Sequence, residues 1–527
     1  MKRLLTVGVA VTLAASVVAC SGGKTPSSDN GSSPAPSASN SAPDMSKKIT
    51  ISTIEGTWAS PLPNPEGAGL KSINEKFNVE FKPQYVPYDE YTNKLPVVMA
   101  AGDLPDVIGM ESADSNFVKW AKQGAFLPLN DYIDKFPSLK AVPKHVWDAV
   151  TVDGKIYAIP QYFPEKYGKK PLIRKDWLDA LGLKMPTTYE ELKKVAIAFT
   201  KNDPDKNGKD DTYGIGLSKQ IVYGAHMGAA WDSGWYSKNE AGQLIPGMIS
   251  EGFKEQTQLL ADLYKEGAIH KDWAVSKTAD IRKDFFAGKY GIYYEQPYDI
   301  SESRFKSLKT AVPGAELAVI PPFKQADGQQ GYLALPGYYE VTMINAKLKN
   351  DPDKINRILT MQDYFRTFIP VDQRISSNKD FDWLNGGVNV GYKVENGIAL
   401  TAADTAEKRP NAYITARFWA PNSEATEPGK VLNDPFTKGF AQGAVDLLKN
   451  QKFYVDPVNR IHSEVLAAKQ SELLQLTQEW QTKMIVGQEP ISNWSKMIEE
   501  FMRKGGKEVI DDVNKILNSS GIKGEWK

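Results

Sequence analysis

The chain has 527 residues, with 64 Lys plus Arg, 64 Asp plus Glu and 4 His. That length can bury a large core and more than one lobe. Zero net charge excludes a general nucleic-acid binder, which needs a basic excess to neutralise phosphates, and so few histidines exclude a His-rich metal site.

The chain opens on MKRLLTVGVAVTLAASVVAC, with Lys2 and Arg3 first, then a short apolar run, then small residues before Cys20. The apolar run is short for a bilayer, so the pattern predicts a secretory signal over residues 1–19. Cys20 is the only cysteine, and VVAC resembles a bacterial lipobox. The resemblance implies cleavage before Cys20 and a diacylglycerol on its sulfur; plain secretion is the alternative. Two acyl chains on one residue anchor stably where one is marginal. Residues 21–48 are nearly all Ser, Pro, Gly, Ala and Asn, the composition of a flexible tether spanning roughly 30 Å. The expected place is the extracellular face of a bacterial cell membrane, touched through the lipid only. With no second cysteine, stability rests on packing.

From Lys48 strands and helices alternate. ITISTIEG reads as a strand, GAGLKSINEKFN as an amphipathic helix, VEFKPQYVPY as a strand, YTNKLPVVMAAG as a helix and DVIGME as a short strand. This order predicts an α/β fold with a mainly parallel sheet flanked by helices, and ligands beyond the carboxyl ends of its strands, at residues 55–58 and 111–114. Further along, PLIRKDWLDALG reads as strand then helix, TYEELKKVAIAFTK and FKEQTQLLADLYKEG as helices, and KYGIYYEQ as a strand. GYYEVTMINAK is a strand leading into the helix DPDKINRILTMQDYF, and the C-terminal portion carries several amphipathic helices. No repeat of 20–50 residues and no heptad run occurs.

Several of these segments, in their order, resemble an extracellular solute-binding protein of an ABC importer. The resemblance is to the carbohydrate group that includes maltose-binding protein, and more to the large lipoproteins of the LplA and alginate-binding type. The segments are LPVVMAAGDLPDVIGMES, PLIRKDWLDALGLKMPTTYEEL, FFAGKYGIYYEQPYD and LPGYYEVTMINAKLKNDPDKINRIL. The resemblance implies a two-lobe periplasmic-binding-protein-like fold that closes on a ligand by hinge motion. It places residues 48–158 and 333–367 in lobe one, and 159–332 and 368–527 in lobe two, after a tether over 20–47. It implies a monomer that captures an oligosaccharide and passes it to permease subunits.

In NDPDKNGKDDTYG, residues 202–214, Asp203, Asp205, Asn207, Lys209 and Asp211 fall at positions 1, 3, 5, 7 and 9 of an EF-hand-like count, with Gly208 at position 6. Alternate side chains there can converge oxygens on one hard cation, Lys209 offering its carbonyl. The expected occupant is a structural Ca²⁺; a solvated turn is the alternative. Position 12 is Gly214 instead of Glu. Alginate-binding relatives carry an acid directly after position 9, where this chain has Thr212.

The 12 Trp, 23 Tyr and 20 Phe fill cores, yet rings also stack on the C–H faces of sugars. The candidate stacking residues are Trp58 beyond the first strand, Tyr298 after Gln296-Pro297, Tyr338 and Tyr339 at the lobe crossing beside Glu340, and Trp231, Trp235, Trp383 and Trp419 in loop-like segments. Glu55, Glu111, Gln161, Arg174 and Glu295 are candidate hydrogen-bonding groups, a salt bridge or a helix cap being the alternative for each. No HExxH, Walker A or G-x-S-x-G occurs, and no carboxylate pair stands out as acid and base. The expectation is a binding protein without catalysis; the competing one is a lipid-anchored polysaccharide-degrading enzyme.

Overall fold

Every second residue early in ITISTIEGT turns toward a buried face, and Ile49–Thr57 is strand β1. The computed structural model describes residues 45–57, 59, 62–163, 165–166, 168–219, 234–297, 302–395, 397–401, 403–414 and 432–527, and Pro43–Lys527 forms one compact unit. Ala68–Phe77 (α1) buries Gly69, Leu70, Ile73 and Phe77 at helical spacing and stops at Asn78, whose φ of 47° is left-handed. Then follow Val79–Pro87 (β2), Tyr88–Ala101 (α2), Val107–Met110 (β3), Ser115–Lys122 (α3) and Ile159–Tyr162 (β4). The next stretch holds Lys170–Arg174 (β5), Lys175–Ala180 (α4), Tyr189–Lys201 (α5), Tyr213–Ile215 (β6), Glu251–Lys265 (α6), Thr278–Phe286 (α7) and Tyr290–Glu295 (β7). Glu302–Ala311 (α8), Leu317–Val319 (β8), Gly331–Leu333 (β9), Tyr338–Ile344 (β10), Pro352–Arg366 (α9) and Lys379–Leu384 (α10) come next. The chain ends with Pro435–Lys449 (α11), Lys452–Val455 (β11), Glu464–Ile485 (α12), Trp494–Phe501 (α13), Lys507–Ser520 (α14) and Glu525–Trp526 (β12).

The first sheet has the order β2-β1-β3-β10-β4, parallel across β2, β1 and β3 and antiparallel at both contacts of β10. The second has the order β8-β5-β7-β6, and only β6 and β7 run parallel. The expected mainly parallel sheets are therefore mixed. Strands that return through the crossing run against their neighbours, and no helical crossover precedes them to reset direction. A small third sheet joins β9, β11 and β12.

Chain crossings link the first sheet to the second and to the small third sheet. Residues 163–169 lead from β4 to β5, and residues 334–337 lead from β9 to β10. The two crossings hold each other: Phe163 N–H donates to the Gly337 carbonyl at 3.0 Å and Leu335 N–H to that of Glu165 at 2.8 Å. Two findings move the expected lobe boundaries. β4, placed in lobe two by the resemblance, hydrogen-bonds into the first sheet. Leu384, Tyr413 and Ile414 join the core beneath that sheet, with Ile73 and Phe77. A second core lies under β5, β6 and β7, and the C-terminal helices form a third around Met248, Trp494 and Phe501. Among the described residues no helix is long and apolar enough to cross a membrane.

Candidate functional site

Both sheets present strand ends to the crossings, and each end carries charge. In the first sheet β1 ends near Glu55. Gly109 on β3 lies beside it: a Cβ there would stand 3.1 Å from Glu55 Cγ, so glycine leaves the carboxylate its room. Glu55 and Glu340 are both buried, and the fully buried Arg366 of α9 is their counter-charge. Burial pushes the Arg366 pKa down to about 10, while Glu55 and Glu340 favour its charged form. Arg366 donates to Gln362 and, at 3.2 Å, to Thr342 Oγ1. Tyr88 O–H donates to Glu340 Oε1 at 2.8 Å, and burial with that neighbouring carboxylate raises its pKa.

Nearer the solvent, Tyr339 O–H donates to Glu111 Oε1 at 3.3 Å and its ring lies 6.0 Å from that of Phe163. Glu111 is exposed at the surface, yet partial loss of water raises its pKa against that hydrogen bond. Asp114, raised for the same reason, caps α3 by accepting from the N–H groups of Asn116 and Phe117. Tyr338 is half-buried, and burial pushes its hydroxyl up to about 12. Gln161 on β4 keeps a buried Oε1 with no hydrogen-bond partner among the described residues.

The second sheet reverses the signs. Glu295 ends β7, and its register partner is Lys170, the first residue of β5. Glu295 Oε2 is 2.6 Å from Arg282 Nε and 4.0 Å from Arg304 NH1, and Oε1 accepts from the Gln296 N–H at 3.1 Å. Lys170 is buried; its Nζ donates to the carbonyls of Gly168 and Lys169 and lies 4.8 Å from the centre of the Tyr332 ring.

The remaining candidates are scattered. Arg174 is fully buried, bonded through Nε to Asp176 Oδ1 at 2.8 Å and stacked over Trp177, where β5 turns into α4. Trp235 is buried in the third core: its N–H donates to Asp456 Oδ2, and its carbonyl accepts from Tyr454 O–H. Trp383 packs on Tyr364 and Phe77 with Lys76 over its ring, and it lines a recess of about 390 Å³ with Ala68, Ser72 and Lys408. These three pack as core or surface residues. Cys20, Trp58, Trp231, Tyr298 and Trp419 lie outside the described residues. Arg282, Arg304, Lys170 and Arg366 were not among the sequence candidates. Arg282 stands one turn into the helix that precedes the β7 strand, which is the only local hint that it meets Glu295.

The acidic loop joins α5 to β6. Positive φ at Asp203 (44°), Lys206 (56°) and Gly208 (75°) curls it, and only the last is a glycine. Asp203 accepts from the N–H groups of Asn207 and Gly208, both at 3.0 Å. The Asn207 side-chain N–H donates to Asp205 Oδ2 at 3.0 Å and Asp211 Oδ1 at 3.1 Å, which draws the two carboxylates together. Among the described residues no three His, Cys, Asp or Glu side chains form a preassembled metal cluster. The loop still fits a hard cation in one respect: Asp205 Oδ1 is buried with no hydrogen-bond partner among the described residues. Burial and the Asp203 carboxyl raise the Asp205 pKa, and a cation would reverse that. Lys209 contributes a backbone N–H bond to Asn207 Oδ1 at 2.8 Å. The two missing acids have steric reasons. Thr212 is buried and donates to the Phe199 carbonyl, tying the loop to α5. A Cβ at Gly214 would stand 2.4 Å from the Ala196 carbonyl oxygen, so no glutamate fits there.

Residues 61–355, more than half of the chain, match the family described as "Bacterial extracellular solute-binding protein". The chain belongs to that family. Lipoprotein LipO of Bacillus subtilis is 26% identical over 97% of this solute-binding protein and 98% of its own length. The polygalacturonan/rhamnogalacturonan-binding protein YtcQ of the same organism is 26% identical over 89% of this chain and 92% of its own. Among solved structures, alginate-binding protein AlgQ2 without calcium ion superposes with a TM-score of 0.66 at 21% identity, covering 90% of this chain and 98% of that one. The Streptococcus pneumoniae substrate-binding protein FusA in complex with kestose gives 0.64 at 20%, covering 90% and 99%; an EF-hand mutant of FusA also superposes. The two-lobed α/β fold of solute-binding proteins is thus shared across nearly the whole folded chain.

Proposed function

We propose that this solute-binding protein captures an oligosaccharide between its lobes and passes it to the permease of an ABC importer without chemical change. The observation that carries the reading is the crossing edge itself. Aromatic rings (Tyr338, Tyr339, Phe163) stand there beside polar groups, of which Gln161 Oε1 is buried with no partner among the described residues. Sugars need rings for their C–H faces and planar polar groups for their hydroxyls. The names of the relatives, one binding polygalacturonan/rhamnogalacturonan and another fructooligosaccharide, point the same way. Cys20 carries the lipid anchor after signal cleavage, the Asp203–Asp211 loop holds a structural Ca²⁺, and the protein works as a monomer.

Calorimetry against oligosaccharides is the test. Trp58→Ala and Tyr298→Ala should each weaken the bound sugar tenfold or more, about 1.4 kcal/mol. Chromatography of the sugar after incubation should show it intact; a cleaved product above background would replace the reading with a polysaccharide-degrading enzyme. Mass spectrometry should find Cys20 as the mature terminus, and an intact Met1 would remove the anchor.

A further inference from the structure

Resting on the reading of two lobes that close on a sugar, we infer that the contact between α3 and α12 is a latch that favours the open form, and that Lys122 and Glu464 tune sugar affinity from outside the cleft. α3 belongs to the first lobe, since Phe117, Val118, Trp120 and Ala121 lie in the core beneath the first sheet. α12 belongs to the second. Its Gln481 side chain donates to Thr257 Oγ1 of α6 at 3.1 Å, and α6 gives Phe253 to the third core and Leu259, Leu260 and Leu263 to the second. The two helices nevertheless pack on each other. Lys122, the last residue of α3, pairs with Glu464, the first of α12, and its Nζ lies 4.0 Å from Asp153 Oδ2. Beside the pair, half-buried His462 hydrogen-bonds the Thr151 backbone, so the contact has a packed part as well as a charged one.

Position gives the direction of the effect. α3 starts at the crossing edge, where Asp114 caps it, and its 8 residues run about 12 Å from that edge before Lys122. Thr151 and Asp153 belong to the hairpin of Thr151–Val152 and Lys155–Ile156, which leads into β4. β4 is the edge strand from which a crossing departs, whereas β1, which carries Glu55, lies toward the other edge of the sheet. The contact therefore stands on the crossing's own flank of the first lobe, below the edge that faces the cleft. Lobes that swing about the crossings to shut the cleft draw such a contact apart. Whatever strengthens it holds the open form, and apparent affinity falls with the fraction of molecules that close. The Lys122 and Glu464 side chains are 38% and 68% exposed, so deleting their pairing has a small effect, and reversing one charge is the stronger probe.

The experiment is charge reversal in the purified protein. Glu464→Lys sets two ammonium groups against each other, and combining it with Lys122→Glu restores an opposite pair. Calorimetry with oligogalacturonates and fructooligosaccharides should show Glu464→Lys binding the sugar about threefold tighter or more, and the double variant returning to the affinity of the unaltered protein. Small-angle X-ray scattering without sugar should give a smaller radius of gyration for Glu464→Lys alone. Equal or weaker binding by Glu464→Lys overturns the latch and leaves the sugar-binding reading standing. A gain in affinity that the double variant keeps also overturns it, because the pairing would then not be its source. If the unaltered protein binds none of the sugars, the sugar-binding reading falls and scattering decides the latch: a smaller radius that the double variant restores supports it, and an unchanged radius overturns it.

Discussion

The two sheet edges that meet at the crossing solve one electrostatic problem with opposite signs. In the first, two buried carboxylates, Glu55 and Glu340, share one buried arginine, Arg366. In the second, one buried carboxylate, Glu295, serves a group of cations that reach toward solvent. Ions removed from water are costly unless paired, so each lobe carries its counter-charge on the inside. The difference lies in exposure. The acidic cluster is sealed, and Tyr88 and Thr342 hydrogen-bond into it. The basic cluster is open on one side, where the Arg304 side chain is 40% exposed.

Removing each counter-charge should therefore cost different amounts. Arg366→Met strands Glu55 and Glu340, and breaking such a sealed arrangement costs about 3–5 kcal/mol. Urea unfolding measures it, and adding Glu55→Gln should recover part of the loss. A cost under ~1 kcal/mol, or no recovery, would mean that Arg366 is not the counter-charge. Glu295→Gln should cost roughly 2–3 kcal/mol, less because the Arg282 and Arg304 side chains are 30% and 40% exposed and can rehydrate. Equal costs at the two edges would erase the contrast.

Much of this fold could be read before any coordinates. The strands β1 and β3 and the helices α1 and α5 follow from periodicity, because an apolar face must find a core. The pairing direction in the second sheet could not, since it depends on where the chain crosses between lobes. The site was half legible. Glu55 and Glu295 stand out as charges at strand ends, yet whether each meets a ligand or a counter-ion depends on Arg366 and Arg282, which sequence alone does not place beside them. Tryptophan was the least reliable sign: Trp235 looks like a loop residue in sequence and is a core residue because β11 and the C-terminal helices, far along the chain, close over it.

The acidic loop offers a third arrangement, carboxylates with no buried cation of the protein's own. Its proposed Ca²⁺ would be the missing counter-charge. At tenfold excess over its dissociation constant, calcium should add about 1.4 kcal/mol of stability by mass action. Thermal melts in calcium and in chelator should differ, and Asp205→Ala should abolish the difference. Identical melts for the unaltered protein, with no calcium found by elemental analysis, would leave the loop an Asn207-bridged turn.

The smallest expected effect comes from a buried titratable group with no opposite charge in direct contact. His462 precedes α12 and packs on the hairpin around Asp153. Its Nε2 is buried without a hydrogen-bond partner among the described residues. Burial and then the Lys122 ammonium push its pKa below 6.5, while a hydrogen bond to Thr151 and the Asp153 carboxylate oppose this. Lys122 itself is paired with Glu464 of α12, which keeps it charged and fixes its place but softens its repulsion. A depressed folded-state pKa means that the unfolded chain takes up the proton first. The contribution of His462 is therefore complete above the ordinary histidine value and is lost as pH falls through the lower folded value. Melting temperature should drop between about pH 7.5 and about pH 5.5, and His462→Gln, which keeps an N–H for Thr151 but takes no proton, should flatten that part of the profile. Identical slopes in both proteins would show that the neutral histidine needs no protection from charge, and that the sealing seen around Arg366 matters only where a full charge is buried.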